Sequence, residues 1–174
     1  MGAYGHIKES IESEYQNRDS ALKSKLINWR KEPSVVRVLR PTNVARAREL
    51  GYKAKQGVVV VRVRIRKGKR KREKPRGGRK PSKNGRFFAY ATSLQSMAEG
   101  RVSRKFMNCE VLNSYYVGED GTYRFYEAIL LDRDHPAVAK DKDYKNVVRQ
   151  RGRAFRALTS SGKKLRYLEK GCSP

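Results

Sequence analysis

Between Tyr4 and Trp29 the apolar residues Tyr4, Ile7, Ile11, Tyr15, Leu22, Leu26 and Trp29 recur at intervals of three, four or seven, which places them on one helical face. The register slips at Arg18. The pattern therefore predicts two helices broken across Asn17-Arg18-Asp19-Ser20, with Asp19 or Ser20 as the second N-cap, and a face that packs on the protein's own core. Downstream, Pro41-Thr42-Asn43, the run Val44 to Leu50 and then Gly51 set out a cap, a short helix and a terminating glycine in order. Val58 to Arg66 reads as a strand whose second half alternates strictly: Val61, Val63 and Ile65 face a core, and Arg62, Arg64 and Arg66 face away from it. Same-face side chains on a strand lie roughly 6.6 Å apart, a spacing suited to successive backbone phosphates. Three arginines without an intervening acid repel one another on a merely solvated face, so this face is expected to meet a polyanion.

Thr92 and Gln95 stand at capping-box spacing ahead of Leu94, Met97, Ala98, Val102 and Phe106, which recur as a core-facing helix requires. Two β-prone runs, 111–117 and 123–131, flank the turn-rich Gly118-Glu119-Asp120-Gly121-Thr122 and predict a hairpin. Its aromatics Tyr115, Tyr116, Tyr123, Phe125 and Tyr126 are able to stack on bases, but core and cross-strand pairing is the commoner role and the preferred expectation. Helices and at least three strands in mixed order predict an α+β class: a small mixed or antiparallel sheet with packed helices. A length of 174 residues makes this a single domain over 1–174.

Charge changes the picture. Lys and Arg number 42 against 17 Asp and Glu, a formal charge of +25, which points to a polyanionic partner. The charge is also segregated. Residues 53–86 hold 16 basic groups against Glu73 alone, 144–174 hold 9 against Glu169 alone, and 109–143 hold 4 basic against 8 acidic groups. The densest stretch, 66–86, carries Arg66, Lys67, Lys69, Arg70, Lys71, Arg72, Lys74, Arg76, Arg79, Lys80, Lys83 and Arg86 among Gly and Pro. Such a stretch cannot bury a packed element, so an extended arm is expected, disordered until nucleic acid neutralises it by counterion release. The segment 144–174 is expected to form a second basic contact region, and the acidic 109–143 region to face solvent or a basic neighbouring protein. A purely solvated linker or nuclear-localisation patch is the plainer alternative for the arm.

Catalytic signatures are absent: there is no nucleophile elbow, phosphate-binding P-loop or dinucleotide fingerprint. Asp132-Arg133-Asp134-His135-Pro136 gathers two carboxylates and an imidazole, but turn and cap roles are the ordinary reading of such a cluster. The loop at Gly118–Gly121 lacks the repeated oxygen ligands of a calcium loop. No catalytic residue, metal, cofactor or small-molecule substrate is therefore expected. Cys109 and Cys172 belong to no Cys-x-x-Cys pair and read as free thiols in a reducing compartment. No apolar run approaches the 18 residues of a membrane span, and the arm has no apolar face to insert into a membrane.

Longer blocks carry a resemblance. Arg40-Pro41-Thr42, the run Ala47-Arg48-Glu49-Leu50-Gly51-Tyr52-Lys53-Ala54-Lys55-Gln56-Gly57 leading into Val58–Arg66, and Ser93-Leu94-Gln95-Ser96 with Ala98-Glu99 resemble the archaeal and eukaryotic large-subunit ribosomal protein family L15e. So do Val111-Leu112-Asn113-Ser114-Tyr115, Val117-Gly118-Glu119-Asp120-Gly121 and the block from Arg156 to Lys164, in the same order over nearly the whole chain. The resemblance implies a structural, non-enzymatic component of the large ribosomal subunit in the cytoplasm, an α+β body with basic segments threaded through ribosomal RNA beside neighbouring ribosomal proteins. Residues and resemblance together assign the RNA contacts to Lys53 and Lys55, the Arg62, Arg64 and Arg66 face, the 66–86 arm, and Arg153, Arg156, Lys163, Lys164 and Arg166. The alternatives are a chromatin or DNA-compacting protein, which shares the charge, and an RNA-processing enzyme built on Asp132, Asp134 and His135.

Overall fold

The computed structural model describes residues 2–68, 70–71, 76–83, 85, 87–88 and 92–166. Helices α1 (Ala3–Asn17) and α2 (Ser20–Lys31) meet at Arg18, whose left-handed backbone (φ +48°) breaks the helix where the apolar register slips. Asp19 takes the N-cap position of α2, although its side chain makes no capping bond. The apolar stripe is a core face only in its second half. Leu22 and Trp29 are buried, whereas α1 buries nothing and leaves Tyr4 and Ile7 exposed. The physical reason is position: α1 leans on its neighbouring helices beyond the sheet, and Tyr15 meets the sheet's edge at Tyr116, ring centroids 6.3 Å apart.

Strand β1 (Val35–Val38) leads to α3 (Val44–Glu49), which is capped as the sequence predicts: Asn43 accepts from Arg46 N at 2.8 Å, and Gly51 takes the positive φ that ends the turn. Next come β2 (Val58–Arg66), the short pair β3 (Arg70–Lys71) and β4 (Phe87–Phe88), helix α4 (Leu94–Lys105), and the hairpin of β5 (Cys109–Glu119) and β6 (Tyr123–Asp132). Three short helices complete the order: α5 (Pro136–Ala139), α6 (Lys145–Val148) and α7 (Ser160–Leu165). The main sheet is antiparallel throughout, in the order β1-β2-β6-β5, and the class is α+β.

Both faces of this sheet are covered, which is why β6 is buried without interruption from Phe125 to Leu131. On one face Val61, Val63 and Ile65 pack with Ala98 and Val102 of α4, together with Val111, Ala128 and Leu130. On the other, Trp29 of α2 and Ala47 of α3 pack with Tyr115, Val117, Phe125 and Ile129. Each such fully buried aliphatic or aromatic side chain contributes on the order of 1.5–3 kcal/mol. Of the hairpin aromatics Tyr115, Phe125 and Tyr126 are buried as the core expectation has it, Tyr123 is half-buried, and Tyr116 is exposed with its ring edge-on to Tyr126 at 6.1 Å. A third cluster of Leu131, Val138 and Tyr144 ties the C-terminal region to the sheet, where the Tyr144 hydroxyl donates to Gly51 O at 2.6 Å.

Two local expectations shift. Helix α4 is capped by Ser93, which accepts from Ser96 N at 3.1 Å, one residue later than the Thr92 spacing suggests. Gln95 does not reach back to a cap, because its amide is engaged with Ser114 O and Oγ across the helix–sheet contact. Within the basic arm, Arg70 pairs with Phe88 and Lys71 with Phe87, a short antiparallel ladder where composition predicts only an extended chain. Backbone pairing needs no buried side chain, so a highly charged segment is free to form it.

Candidate nucleic-acid interface

The cations divide by whether the protein supplies their counterions. Lys53 donates to Asp141 at 3.1 Å and Asp143 at 2.6 Å; Lys55 is also bound to Asp141, and both ammonium groups lie 5.1 Å from the centre of the Tyr144 ring. Lys55 holds the Asp141 carboxyl well below the usual carboxylate range, and Asp143 raises the Lys53 pKa. Lys67 pairs with Glu119 at 2.8 Å, and Arg124 shares the same carboxylate at 2.6 Å. The block Gly51-Tyr52-Lys53-Ala54-Lys55 is therefore a clamp on the loop that precedes α6.

Arg62 shows most plainly how the sheet differs from the expected arginine face. Its side chain is 11 % exposed and 4.6 Å from the Trp29 ring centre, its Nη2 donates to both Glu32 carboxylate oxygens at 2.8 and 3.0 Å, and the guanidinium stands 3.8 Å from Glu127. The acids missing from the strand itself arrive from α2's C-terminus and from the opposite strand, since Arg62 is registered against Glu127. Repulsion along the arginine row is relieved from within. Arg64 lies 4.7 Å over the Tyr123 ring and donates to Arg30 O. Arg66, at the strand's end, is exposed.

Several of the remaining cations form no ion pair among the described residues. Arg66, Arg76, Arg79 and Lys80 form no ion pair among the described residues, and 76–82 is exposed throughout. Arg70, Lys71 and Lys83 are placed by their backbone alone, while Lys69, Arg72, Lys74 and Arg86 lie outside the described residues. In the C-terminal region Gly152 N and Arg153 N donate to Glu110 at 2.9 and 3.3 Å, and Arg153 Nε donates to Val111 O at 3.0 Å. Arg153 is half-buried, and desolvation lowers its pKa. Arg156 donates to Arg151 O, Arg166 to Arg156 O, and Lys163 and Lys164 lie exposed on α7 behind the Thr159 cap. Exposed Arg104, Arg149 and Arg151 join this region, although sequence reasoning does not single them out; the one signal for the latter two is the basic run 149–156 itself.

The acids of 109–143 consequently have a different place from the one expected. Glu110 and Glu127 are buried, and Glu119 and Asp141 hold cations of this chain, so much of the acidic block is internal counterion. Glu99, on α4, is buried as well and accepts from Ser114 Oγ and Thr159 Oγ1. The Asp132–His135 cluster takes the turn-and-cap role: Asp134 N donates to Asp132, and Ala137 N donates to His135 Nδ1 at the start of α5. Cys109 is a free thiol, and burial pushes it up to about 11. Cys172 lies outside the described residues.

The arm and the 149–156 turn are anchored at opposite ends of the sheet. The arm leaves β2 at Arg66, opposite Tyr123, whereas the 149–156 turn is anchored on Glu110, which is level with Leu131 and Val58. Eight strand residues separate the two levels, roughly 26 Å. Among the described residues no helix is long and apolar enough to cross a membrane. The α+β body thus neutralises several of its own cations and leaves others without an ion pair among the described residues. The family model described as Ribosomal L15 matches residues 2–173 of this chain, which therefore belongs to the ribosomal L15e family, structural and non-enzymatic constituents of the large ribosomal subunit.

Proposed function

We propose that the chain binds and compacts large-subunit ribosomal RNA by Lys/Arg–phosphate contacts made from both ends of its sheet, in the cytoplasmic ribosome and beside other large-subunit proteins. The observation that carries this reading is the sorting of cations. Carboxylates of the chain neutralise Lys53, Lys55, Arg62 and Lys67, while Arg66, Arg76, Arg79, Lys80, Arg156 and Lys163 have no such partner among the described residues. A cation left without an internal counterion takes one from its surroundings, and a phosphate backbone supplies them at regular intervals while releasing its own counterions. Lys53, 43 % exposed, can face a phosphate while holding Asp141; Arg62 acts from inside, by fixing the strand that launches the arm.

RNA segments that approach within a few Å of each other repel strongly unless cations lie between them, and a fixed array replaces mobile ions without the entropy cost of localising them. Two arrays anchored at strand levels roughly 26 Å apart suit two RNA segments better than one phosphate cluster. Arginine can grip a phosphate with two parallel hydrogen bonds, whereas lysine acts as a point charge. Competition at matched salt tests this: deproteinised large-subunit rRNA is expected to displace the protein from duplex DNA of equal phosphate concentration. Equal affinity for the two would favour a general DNA-compacting role instead.

A further inference from the structure

The turn between α6 and α7 presents an aromatic ring to solvent from a segment that is otherwise firmly held. Phe155 is 59 % exposed. Just before it, the Glu110 carboxylate accepts from Gly152 N and Arg153 N, Arg153 is bonded to Val111 O, and Ala154 is buried in the core beneath the sheet. Just after it, Thr159 Oγ1 donates to buried Glu99 at 2.6 Å, and Gly162 comes so close that a Cβ there would stand 2.5 Å from Ala157 Cα. Ala157 itself has φ +53°, a conformation that an L-residue other than Asn or Asp holds only when its surroundings impose it. This frame fixes the backbone that carries the ring.

The surroundings of the ring are cationic. Arg104 Nε donates to Gly100 O at 3.2 Å, and a Cβ on Gly100 would lie 3.8 Å from Phe155 Cε1 and 3.9 Å from Arg104 Nη2. Phe155 Cε1 and Arg104 Nη2 thus both stand close to Gly100 on α4, a residue with no side chain. Arg151 and Arg156 are exposed on the same turn, joined by the 2.9 Å bond from Arg156 Nε to Arg151 O. Neither they nor Arg104 form an ion pair among the described residues, and the nearby acids, Glu99 and Glu110, are buried beneath the turn and engaged there.

We propose that Phe155 is a stacking platform for an unpaired nucleobase of RNA, with Arg104, Arg151 and Arg156 holding the phosphates on either side of it. An aromatic face stacks on any base, and a ring carried on an already ordered turn adds no cost of ordering that turn. An apolar protein surface docking here would desolvate the three guanidinium groups without pairing them, which costs more than the ring's burial returns. The inference rests on the RNA-binding reading and adds to it a site and a ligand: a looped-out or terminal base, which a continuous duplex does not offer.

Full-length wild type, Phe155→Ala, Phe155→Leu and Phe155→Trp, titrated with deproteinised large-subunit rRNA and with a blunt-ended RNA duplex, test it. Phe155→Ala is expected to weaken rRNA binding by roughly 5- to 100-fold, the span of base–aromatic stacking. Phe155→Leu stays weak, Phe155→Trp restores affinity, all four proteins bind the duplex alike, and the salt dependence is unchanged because every guanidinium keeps its phosphate. Restoration by Trp also excludes misfolding as the cause. Wild-type affinity in Phe155→Ala or in Phe155→Leu overturns the stacking site while leaving RNA binding intact. Failure of the wild type to bind either RNA overturns both readings.

Discussion

Glu127 and Glu99 are both carboxylates without solvent exposure, yet their surroundings treat them differently. Glu127 accepts from Thr42 N at 2.9 Å, Thr42 Oγ1 at 2.5 Å and Tyr115 OH at 2.5 Å, and has the Arg62 guanidinium 3.8 Å away. Burial pushes the Tyr115 phenol far above its ordinary range, which keeps it a donor. Glu99 has two hydroxyl donors and no cation in contact, and burial raises its pKa above the usual carboxylate value despite those hydrogen bonds. Its protonated form is thus favoured in the fold. Its contribution to stability is fully present below the unfolded carboxylate pKa and is lost as pH rises through the higher folded value. Glu99→Gln removes that titration, so the variant should gain on the wild type as pH rises above the ordinary glutamate value of about 4.3. Urea midpoints at several pH values check this, and a pH-independent difference would contradict it. None of this is legible locally: Glu32 and Glu127 are distant from Arg62 in sequence, and only the strand register and the packing of α2 bring them together.

At the scale of elements, periodicity places the helices and the hairpin because one-sided burial leaves a mark at every third, fourth or second residue. It does not say what covers a stripe, which is why Tyr4 and Ile7 carry the pattern of a core face and are exposed. Strand β1, four residues long, has too few positions to show alternation and leaves no signal in the sequence. Helix α4 shows how tertiary packing shifts a boundary. Gln95 bonds Ser114 across the helix–sheet contact, leaving Ser93 to cap the first turn. Ser93→Ala should then cost about 1 kcal/mol, the usual effect of removing a serine cap, while Thr92→Ala should change stability by less than about 0.5 kcal/mol, as surface substitutions do. Thermal or urea unfolding of the two single variants measures the difference; the reverse ranking would return the cap to Thr92.

For the whole molecule, the segment charges of the sequence locate both cationic regions, but the sequence does not show which cations are open. The acidic block 109–143 reads as an outward-facing surface until topology turns Glu110 and Glu127 inward and sets Glu119 and Asp141 against lysines. What then remains is a net positive charge carried by cations without an ion pair among the described residues, Arg76, Arg79, Lys80, Arg149, Arg151 and Arg156 among them. The sheet is a spacer between the anchors of the arm and the 149–156 turn, held rigid by cores on both faces. On the RNA-binding reading proposed above, such a body would bring RNA segments together by fixing the distance between two sets of phosphate partners.

The salt dependence of binding to deproteinised large-subunit rRNA tests this claim most directly, compared among the wild type, Arg76→Ala/Arg79→Ala/Lys80→Ala, Arg156→Ala/Lys163→Ala/Arg166→Ala, and the six substitutions combined. Each triple variant should flatten the log–log slope by up to about 0.9 for every phosphate no longer neutralised, with the two effects adding in the combined variant. A wild-type slope in the combined variant would contradict the claim, since phosphate would then be held elsewhere on the protein.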